Sequence, residues 1–297
     1  MTDSVLYSII IPTFNGAETI ERCLHSIFNQ TLEKPFEVII IDSSDDETPQ
    51  IVRTQFPQAI LISLEKQTPE GMARNIGITK AKGDIVVMTD QDCVVPPYWL
   101  SKIQKKMVRS DYDAIGGSII PFSGGDLWNH ISFLVEFNEF LPEAKAGLRN
   151  NVPTCNIAYR KEIFSNHLRF TDDFPIAEDL VFNNLLVHHG WKLYFDPDIT
   201  IWHISRTGLK AALKHQYYLG SGSAKARKVL PELSGSFLIK YPVFSLGLPF
   251  YRWCAIVKRL ARFSRSYFFL TILFSLPILI AVMIWATGFV AETFNRK

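Results

Sequence analysis

The chain has 297 residues, of which 47% are hydrophobic, 13% aromatic and 20% charged, with a formal net charge of +2 at pH 7. That composition excludes disorder and low complexity, and so small a net charge gives no support for nucleic acid as a partner. The length fits one large domain or two small ones, with enough apolar surface to build a core without disulfides. Cys23, Cys93, Cys155 and Cys254 stand far apart with no C-x-x-C between them, the cysteine usage of a reducing compartment.

The N-terminal sequence lacks the basic region and cleavage site of a signal peptide and runs straight into a strand pattern, which predicts a cytoplasmic N-terminal part. Apolar, β-branched runs at residues 5–11, 36–41, 59–64 and 84–88 predict four strands buried on both faces. Helix-length segments at 17–29, 48–56 and 71–80 lie between them. Such alternation predicts an α/β fold, a doubly wound, mostly parallel sheet with right-handed crossovers. No Gly/Ser/Pro linker follows, so residues 1–225 read as one domain.

Ligands of an open parallel sheet bind beyond the carboxyl ends of the strands. The first strand ends in Pro12, Thr13, Phe14 and Asn15, the second in Asp42 followed by SSDDET, and the fourth in TDQDC, where Asp90 and Asp92 flank Gln91. No glycine-rich phosphate loop follows any strand, so a bound phosphate needs another source of positive charge. Asp90 and Asp92 suit one hard divalent cation, and Arg74 and Asn75 on the preceding helix add a planar cation and an amide. An isolated D-x-D is as often a solvated turn, and an isolated arginine more often a surface ion pair. Here it is their company that points to a site.

Five blocks in this order, IIIPTFNG, VIIIDSSDDET, GMARNIGITKAKGDIVVMTDQD, TCNIAYRKEIF and FPIAEDLVFNNLLVHHGWKLYFDP, resemble the family-2 glycosyltransferases of GT-A fold over residues 5–205. The resemblance implies an inverting, hexosyltransferase-type enzyme that takes a sugar from a nucleotide-diphosphate donor with the help of Mg2+ or Mn2+. It implies that Pro12, Thr13 and Asn15 line the nucleotide pocket and that Asp42 meets the base. Arg74 is expected near the diphosphate, Asp90 toward the ribose, Asp92 on the metal, and Glu178 on the donor beside Asp179, the base. A carboxylate opposite the leaving group can take the acceptor's proton, and Asp179 opens a helix-like segment whose first turn favours an acid. The bland alternative is that Glu178 and Asp179 only cap that helix.

His203 is a further candidate metal ligand or donor contact, although a lone histidine is more often structural. Cys155 and Asn156 stand where the family approaches its sugars, with a structural turn an equal reading. His188 and His189 point to different helix faces, against a joint metal site, and Trp99 reads as core. The segment HQYYLGSGSAKAR, residues 215–227, reads as a lid or as a connector containing a small-residue turn. Gln216 does not open the Q-x-x-R-W block of processive synthases, so transfer of a single sugar is expected.

Residues 237–251 are apolar but interrupted by Lys240, Pro242 and Pro249. Arg252, Lys258, Arg259, Arg262 and Arg265 then alternate with apolar residues at helical spacing, which predicts residues 226–265 as an interfacial segment in the headgroup plane. Residues 266–291 are 26 uncharged residues with Pro277 near the middle. As a helix they reach roughly 39 Å, enough to cross a hydrocarbon core of about 30 Å. A buried core helix is the alternative. The basic residues before the run predict a single-pass protein of the inner, cytoplasmic membrane, with residues 292–297 as a short tail and the catalytic part in the cytoplasm. The expected partners are a nucleotide-sugar donor and a membrane lipid or glycan acceptor. Two rivals are a haloacid-dehalogenase-like phosphatase using Asp90 in DQDCV and a non-catalytic membrane-anchored binding protein.

Overall fold

The computed structural model describes residues 7–32, 34–122, 124, 126–165, 168–172, 174, 176–205 and 208–295. Val5 and Leu6 of the first expected strand, and Arg296 and Lys297 of the expected tail, lie outside the described residues.

In chain order the elements are β1 (Tyr7–Thr13), α1 (Ile20–Phe28), β2 (Phe36–Asp42), α2 (Thr48–Gln55), β3 (Ile60–Ser63), α3 (Glu70–Lys80) and β4 (Ile85–Met88). There follow β5 (Cys93–Val94), α4 (Trp99–Arg109), β6 (Ala114–Pro121), α5 (Leu127–Phe137), β7 (Gly147–Leu148), β8 (Ile157–Arg160), α6 (Glu162–Ser165), α7 (Glu178–His188) and β9 (Leu193–His203). The rest is helical: α8 (Leu209–Val229), α9 (Phe237–Lys240), α10 (Leu248–Phe263), α11 (Arg265–Leu273) and α12 (Ser275–Phe294). Two compact units result, one of Met1–Ile120 with Lys145–His203 and one of Pro121–Ala144 with Ile204–Lys297.

The first unit is built on a sheet in the order β3-β2-β1-β4-β8-β6-β9-β5, with β7 also on β9. The first four strands pair in parallel, as their uniformly β-branched sequences predict. Ile9, Ile10 and Ile11 face Val38–Ile41 and Val86–Met88 in a fully buried core, where each large aliphatic side chain contributes about 1.5–3 kcal/mol. The sheet then continues antiparallel through β8 on β4 and β6 on β8, and through β5 on β9. This mixed α/β sheet, with crossover helices α1, α2 and α3, sets the loops after β1, β2 and β4 along one edge. Trp99, expected in the core, is fully buried there.

Beyond Pro121, the last residue of β6, the elements among the described residues of the second unit are helical. Gly220 of α8 and Gly288 of α12 lie backbone against backbone, because a Cβ on Gly220 would fall 1.8 Å from the Trp285 carbonyl oxygen and one on Gly288 2.0 Å from that of Tyr217. The small residues of SGSAK therefore serve close helix packing inside α8, not the expected turn or lid.

Three sequence expectations change. The boundary expected at residue 225 lies after His203, and residues 121–144 leave the α/β part because the apolar α5 packs on α8 and α12. The run 266–291 is not one helix: it breaks at Phe274, and Pro277 falls in the first turn of α12, where proline removes no helical hydrogen bond. Two of the five basic residues expected at a lipid surface turn inward. Arg252 donates to the Val135 carbonyl at 3.1 Å and stacks 4.1 Å from the Trp285 ring centroid, and Arg259 pairs with Glu139 at 2.8 Å and with Asn138.

Candidate active site

The loops after β1 and β2 are joined by side chains on backbone. Thr13 and Ser44 hydroxyls both donate to one Asp42 oxygen, at 2.7 Å each, in a carboxylate only 1% exposed. The Asn15 amide N–H donates to Ser44 at 2.8 Å, and its side-chain oxygen accepts from Asp45 N–H at 3.1 Å. Asn15 has φ 49°, a left-handed conformation that asparagine tolerates better than most residues. Gly16 N–H donates to Thr48 at 2.9 Å.

Gln91 brings in the loop after β4. Its oxygen accepts from Phe14 N–H and its amide donates to Phe14 C=O, each at 3.0 Å. Gly16 makes room for it, since a Cβ there would sit 2.3 Å from the Gln91 oxygen. Gln91 was the unassigned middle residue of D-x-D in the sequence reading; its only signal was its place between the two aspartates.

Arg74 is the hub. Carried on α3 and 0% exposed, it pairs with Asp90 at 2.8 Å, with Glu70 at 3.1 Å and, closest of all, with Glu178. Burial works against its charge, but Asp90, Glu178 and Glu70 outweigh that and hold its pKa well above the ordinary value. Arg74, expected near the diphosphate, and Glu178, expected on the donor, are here buried against each other. Glu70 is a partner the sequence reading missed, although its i,i+4 spacing to Arg74 was the available signal. Asn75 does not reach this edge, because its amide grips the Phe170 backbone at 2.8 and 3.0 Å.

Asp179, next to Glu178 in the first turn of α7, is half-buried and accepts from Leu180 N–H at 2.7 Å. The residue before the pair, Ala177, is held at φ 72°, a strained conformation for a non-glycine residue. Burial pushes the Glu178 carboxyl up, with Arg74 pulling it back and Asp179 adding to the rise. Burial likewise raises Asp179 to about 6, against the pull of Arg74 and the Leu180 hydrogen bond. Asn183 anchors α7 from below, accepting from Tyr159 at 2.8 Å and donating to the Val152 carbonyl at 2.8 Å.

Asp92 and His203 meet through the β5–β9 ladder, which aligns Cys93 with His203. An Asp92 oxygen lies 3.6 Å from His203 Nε2, and ligand atoms of Asp92, Cys93 and His203 all fall within 4.8 Å of one another. Burial pushes the Cys93 thiol up and keeps it protonated. The donors left are a carboxylate oxygen, the ligand type of Mn2+ and Mg2+, and an imidazole nitrogen that a divalent transition ion such as Mn2+ accepts more readily than Mg2+ does. Cys93 went unnoticed as a neighbour in the sequence because it faces inward from a two-residue strand.

Asn156 is structural: it accepts from Trp99 at 2.9 Å and donates to the Ser118 and Ile199 carbonyls at 2.9 and 2.8 Å. Cys155 is buried beside it. His188 and His189 form no metal group among the described residues.

Carboxylates converge past the carboxyl ends of the parallel strands with a fixed cation among them, on a mixed sheet of the GT-A type. The sequence pattern of Glycosyl transferase family 2 matches residues 8–168. The chain belongs to that family and is a glycosyltransferase. It is 27% identical over 224 residues to Glycosyltransferase AglE of Haloferax volcanii, covering 72% of each chain. It is 26% identical over 245 residues to the dolichyl N-acetyl-alpha-D-glucosaminyl phosphate 3-beta-D-2,3-diacetamido-2,3-dideoxy-beta-D-glucuronosyltransferase of Methanococcus voltae, covering 72% of this chain and 71% of that one. Among solved structures, it superposes on the mannosyltransferase PcManGT of Pyrobaculum calidifontis, crystallised with GDP-Man and Mn2+, at TM-score 0.64, 20% identity and coverage of 98% and 88%. It superposes on S. aureus TarS 1-349 at TM-score 0.56, 16% identity and coverage of 97% and 90%. The family and fold exclude the phosphatase alternative, in which Asp90 attacks phosphorus; here Asp90 is ion-paired to Arg74.

Proposed function

We propose that the protein is an inverting glycosyltransferase that moves one sugar from a nucleotide-diphosphate donor to a hydroxyl of a membrane-associated acceptor, a lipid carrier, glycolipid or cell-surface glycan, at the cytoplasmic face. The observation that carries this is the Arg74 hub, which ties Asp90, after β4, to Glu178, beside the candidate base, through one buried guanidinium.

Pro12, Thr13 and Asn15 form the floor of the nucleotide pocket, with Asp42 set by Thr13 and Ser44 to accept from the base. Asp90, held by Arg74, turns toward the ribose. Asp92 and His203 would hold Mg2+ or Mn2+, which would supply positive charge to offset the charge of the leaving diphosphate. Arg74 and Glu178 act as positioning residues: Glu178, fixed by Arg74, sets the first turn of α7. There Asp179 accepts the proton of the acceptor hydroxyl as that oxygen attacks the anomeric carbon from the face opposite the leaving group. The raised Asp179 pKa matches a base that must take a proton near neutral pH. The M. voltae relative, named for transfer to a dolichyl phosphate-linked sugar, supports a lipid-linked acceptor.

Calorimetric titration with UDP and GDP tests the metal assignment. Asp92→Asn and His203→Ala are expected to weaken nucleotide binding at least about tenfold with Mn2+ present and to leave the weaker metal-free binding unchanged. Binding by the parent that is equal with and without Mn2+ contradicts the assignment.

A further inference from the structure

Among the described residues, α12 is the one helix long and apolar enough to cross a membrane, with a mean hydropathy of 1.8. Its packing decides whether it does. α8 and α12 touch backbone to backbone where Gly220 meets Trp285 and Gly288 meets Tyr217, and toward their C-terminal ends the Lys228 ammonium binds the Asn295 carbonyl at 2.8 Å and the Glu292 carboxylate at 3.1 Å. With no Cβ at Gly220 or Gly288 the backbones touch, so the second half of α8 travels wherever the second half of α12 goes.

Trp285 is the eleventh residue of the 20 in α12, the midplane of any span. A crossing α12 therefore carries the Arg252 guanidinium, stacked on Trp285, to the bilayer centre. It also carries Lys225, Arg227 and Lys228 of α8 into or through the far leaflet. A cationic side chain at the bilayer centre is strongly disfavoured unless it reaches the headgroups or a counter-charge. Among the described residues no other helix combines the length and apolarity of a span: α10 has only 16 residues, and α8, though 21 long, does not qualify.

The outer surface of the same unit supplies the alternative. Phe244, Leu246, Phe250 and Tyr251 are 62%, 79%, 64% and 72% exposed, and Phe244 lies 6.4 and 6.5 Å from the rings of Phe237 and Tyr241. So dense an exposed apolar and aromatic stretch marks an interaction surface. The basic residues not turned inward, Lys258, Arg262 and Arg265, are exposed on α10 and at the start of α11. Aromatic side chains beside an exposed basic set complement an anionic bilayer surface.

We infer that the helical unit is an in-plane membrane module: residues 237–251 enter one leaflet, Lys258, Arg262 and Arg265 meet its anionic headgroups, and α12 does not cross, so both of its ends lie on the catalytic side. This rests on the membrane part of the proposed function and replaces the single span expected from the sequence.

Two readings on the full-length protein test it. In flotation with vesicles of phosphatidylglycerol and phosphatidylcholine, the parent floats, and the triple change Phe244→Ser, Leu246→Ser, Phe250→Ser lowers the bound fraction at least fivefold. Those side chains are exposed, and unchanged circular dichroism confirms that the variant is folded. Failure of the parent to float overturns the membrane reading itself, and undiminished flotation of the variant overturns the assigned surface. For topology, single cysteines are introduced as Asn295→Cys, Glu232→Cys and, in the catalytic unit, Lys80→Cys, each with Cys254→Ser. They are labelled in sealed inverted membrane vesicles with an impermeant maleimide. Labelling of positions 232 and 295 to the extent of position 80 supports the inference; labelling of position 295 only after detergent overturns it and restores the span.

Discussion

At the scale of single residues, Arg74 and Asp179 carry the proposed chemistry. Arg74 stands among three carboxylates with no exposure, so Arg74→Leu leaves Glu178 buried without its counter-charge. Removing one partner of a buried pair costs about 3–5 kcal/mol. Urea denaturation of the isolated variant is expected to show a loss of that size, with turnover falling as Asp90 and Glu178 lose their anchor; unchanged stability contradicts the hub. Asp179→Asn keeps the size and removes the proton affinity. Turnover is expected to drop about 10²-fold or more while donor binding stays near the parent's. The base works ionised, and burial raises its pKa to about 6, so turnover is expected to be low below pH 5, to rise through pH 6 and to level off above pH 7. A pH–rate profile in saturating donor checks this, and a profile flat from pH 5 to 8 removes Asp179 from the role. Sequence order alone placed Asp90, Asp92, Glu178 and Asp179 in motifs. It could not reveal that Arg74 faces carboxylates 16 and 104 positions away instead of solvent, because burial depends on which helix lands over which strand end.

At the scale of elements, the parallel block β1 to β4 was legible because its strands are buried on both faces and read as unbroken β-branched runs. The later strands were not. β5 and β7 are two residues long, β8 is four, and β9 carries Asp196, Pro197 and Asp198 in its middle, so none shows a clean period. Small residues misled in α8 because glycine and serine signal turns in a sequence, whereas here they let two helix backbones touch. Gly288→Leu is therefore expected to destabilise the helical unit by more than the roughly 1–3 kcal/mol of ordinary overpacking, since the new side chain meets backbone. Thermal unfolding checks this, and an unchanged Tm contradicts the packing. Gln91 links the loops after β1 and β4 through two hydrogen bonds to Phe14. Gln91→Ala is expected to raise the KM for donor about tenfold with kcat little changed, because it loosens the pocket without touching the base.

At the scale of the molecule, a GT-A unit and a helical unit divide the chain. The sequence located the apolar C-terminal run and the basic residues before it, but not that the run breaks in two or that Arg252 and Arg259 are drawn inward, since hydropathy carries no record of partners. In the proposed function the two units together make a nucleotide-sugar transferase that works at a membrane. The most direct measurement is release of nucleoside diphosphate by the full-length protein from a panel of UDP-, GDP- and dTDP-sugars, with membrane lipid extract as acceptor source and Mn2+ present. Turnover is expected with one donor class, to require the extract, to stop with EDTA and to return when Mn2+ is added back. Turnover that EDTA leaves untouched, or no release from any donor with the extract and metal supplied, would contradict the proposed function.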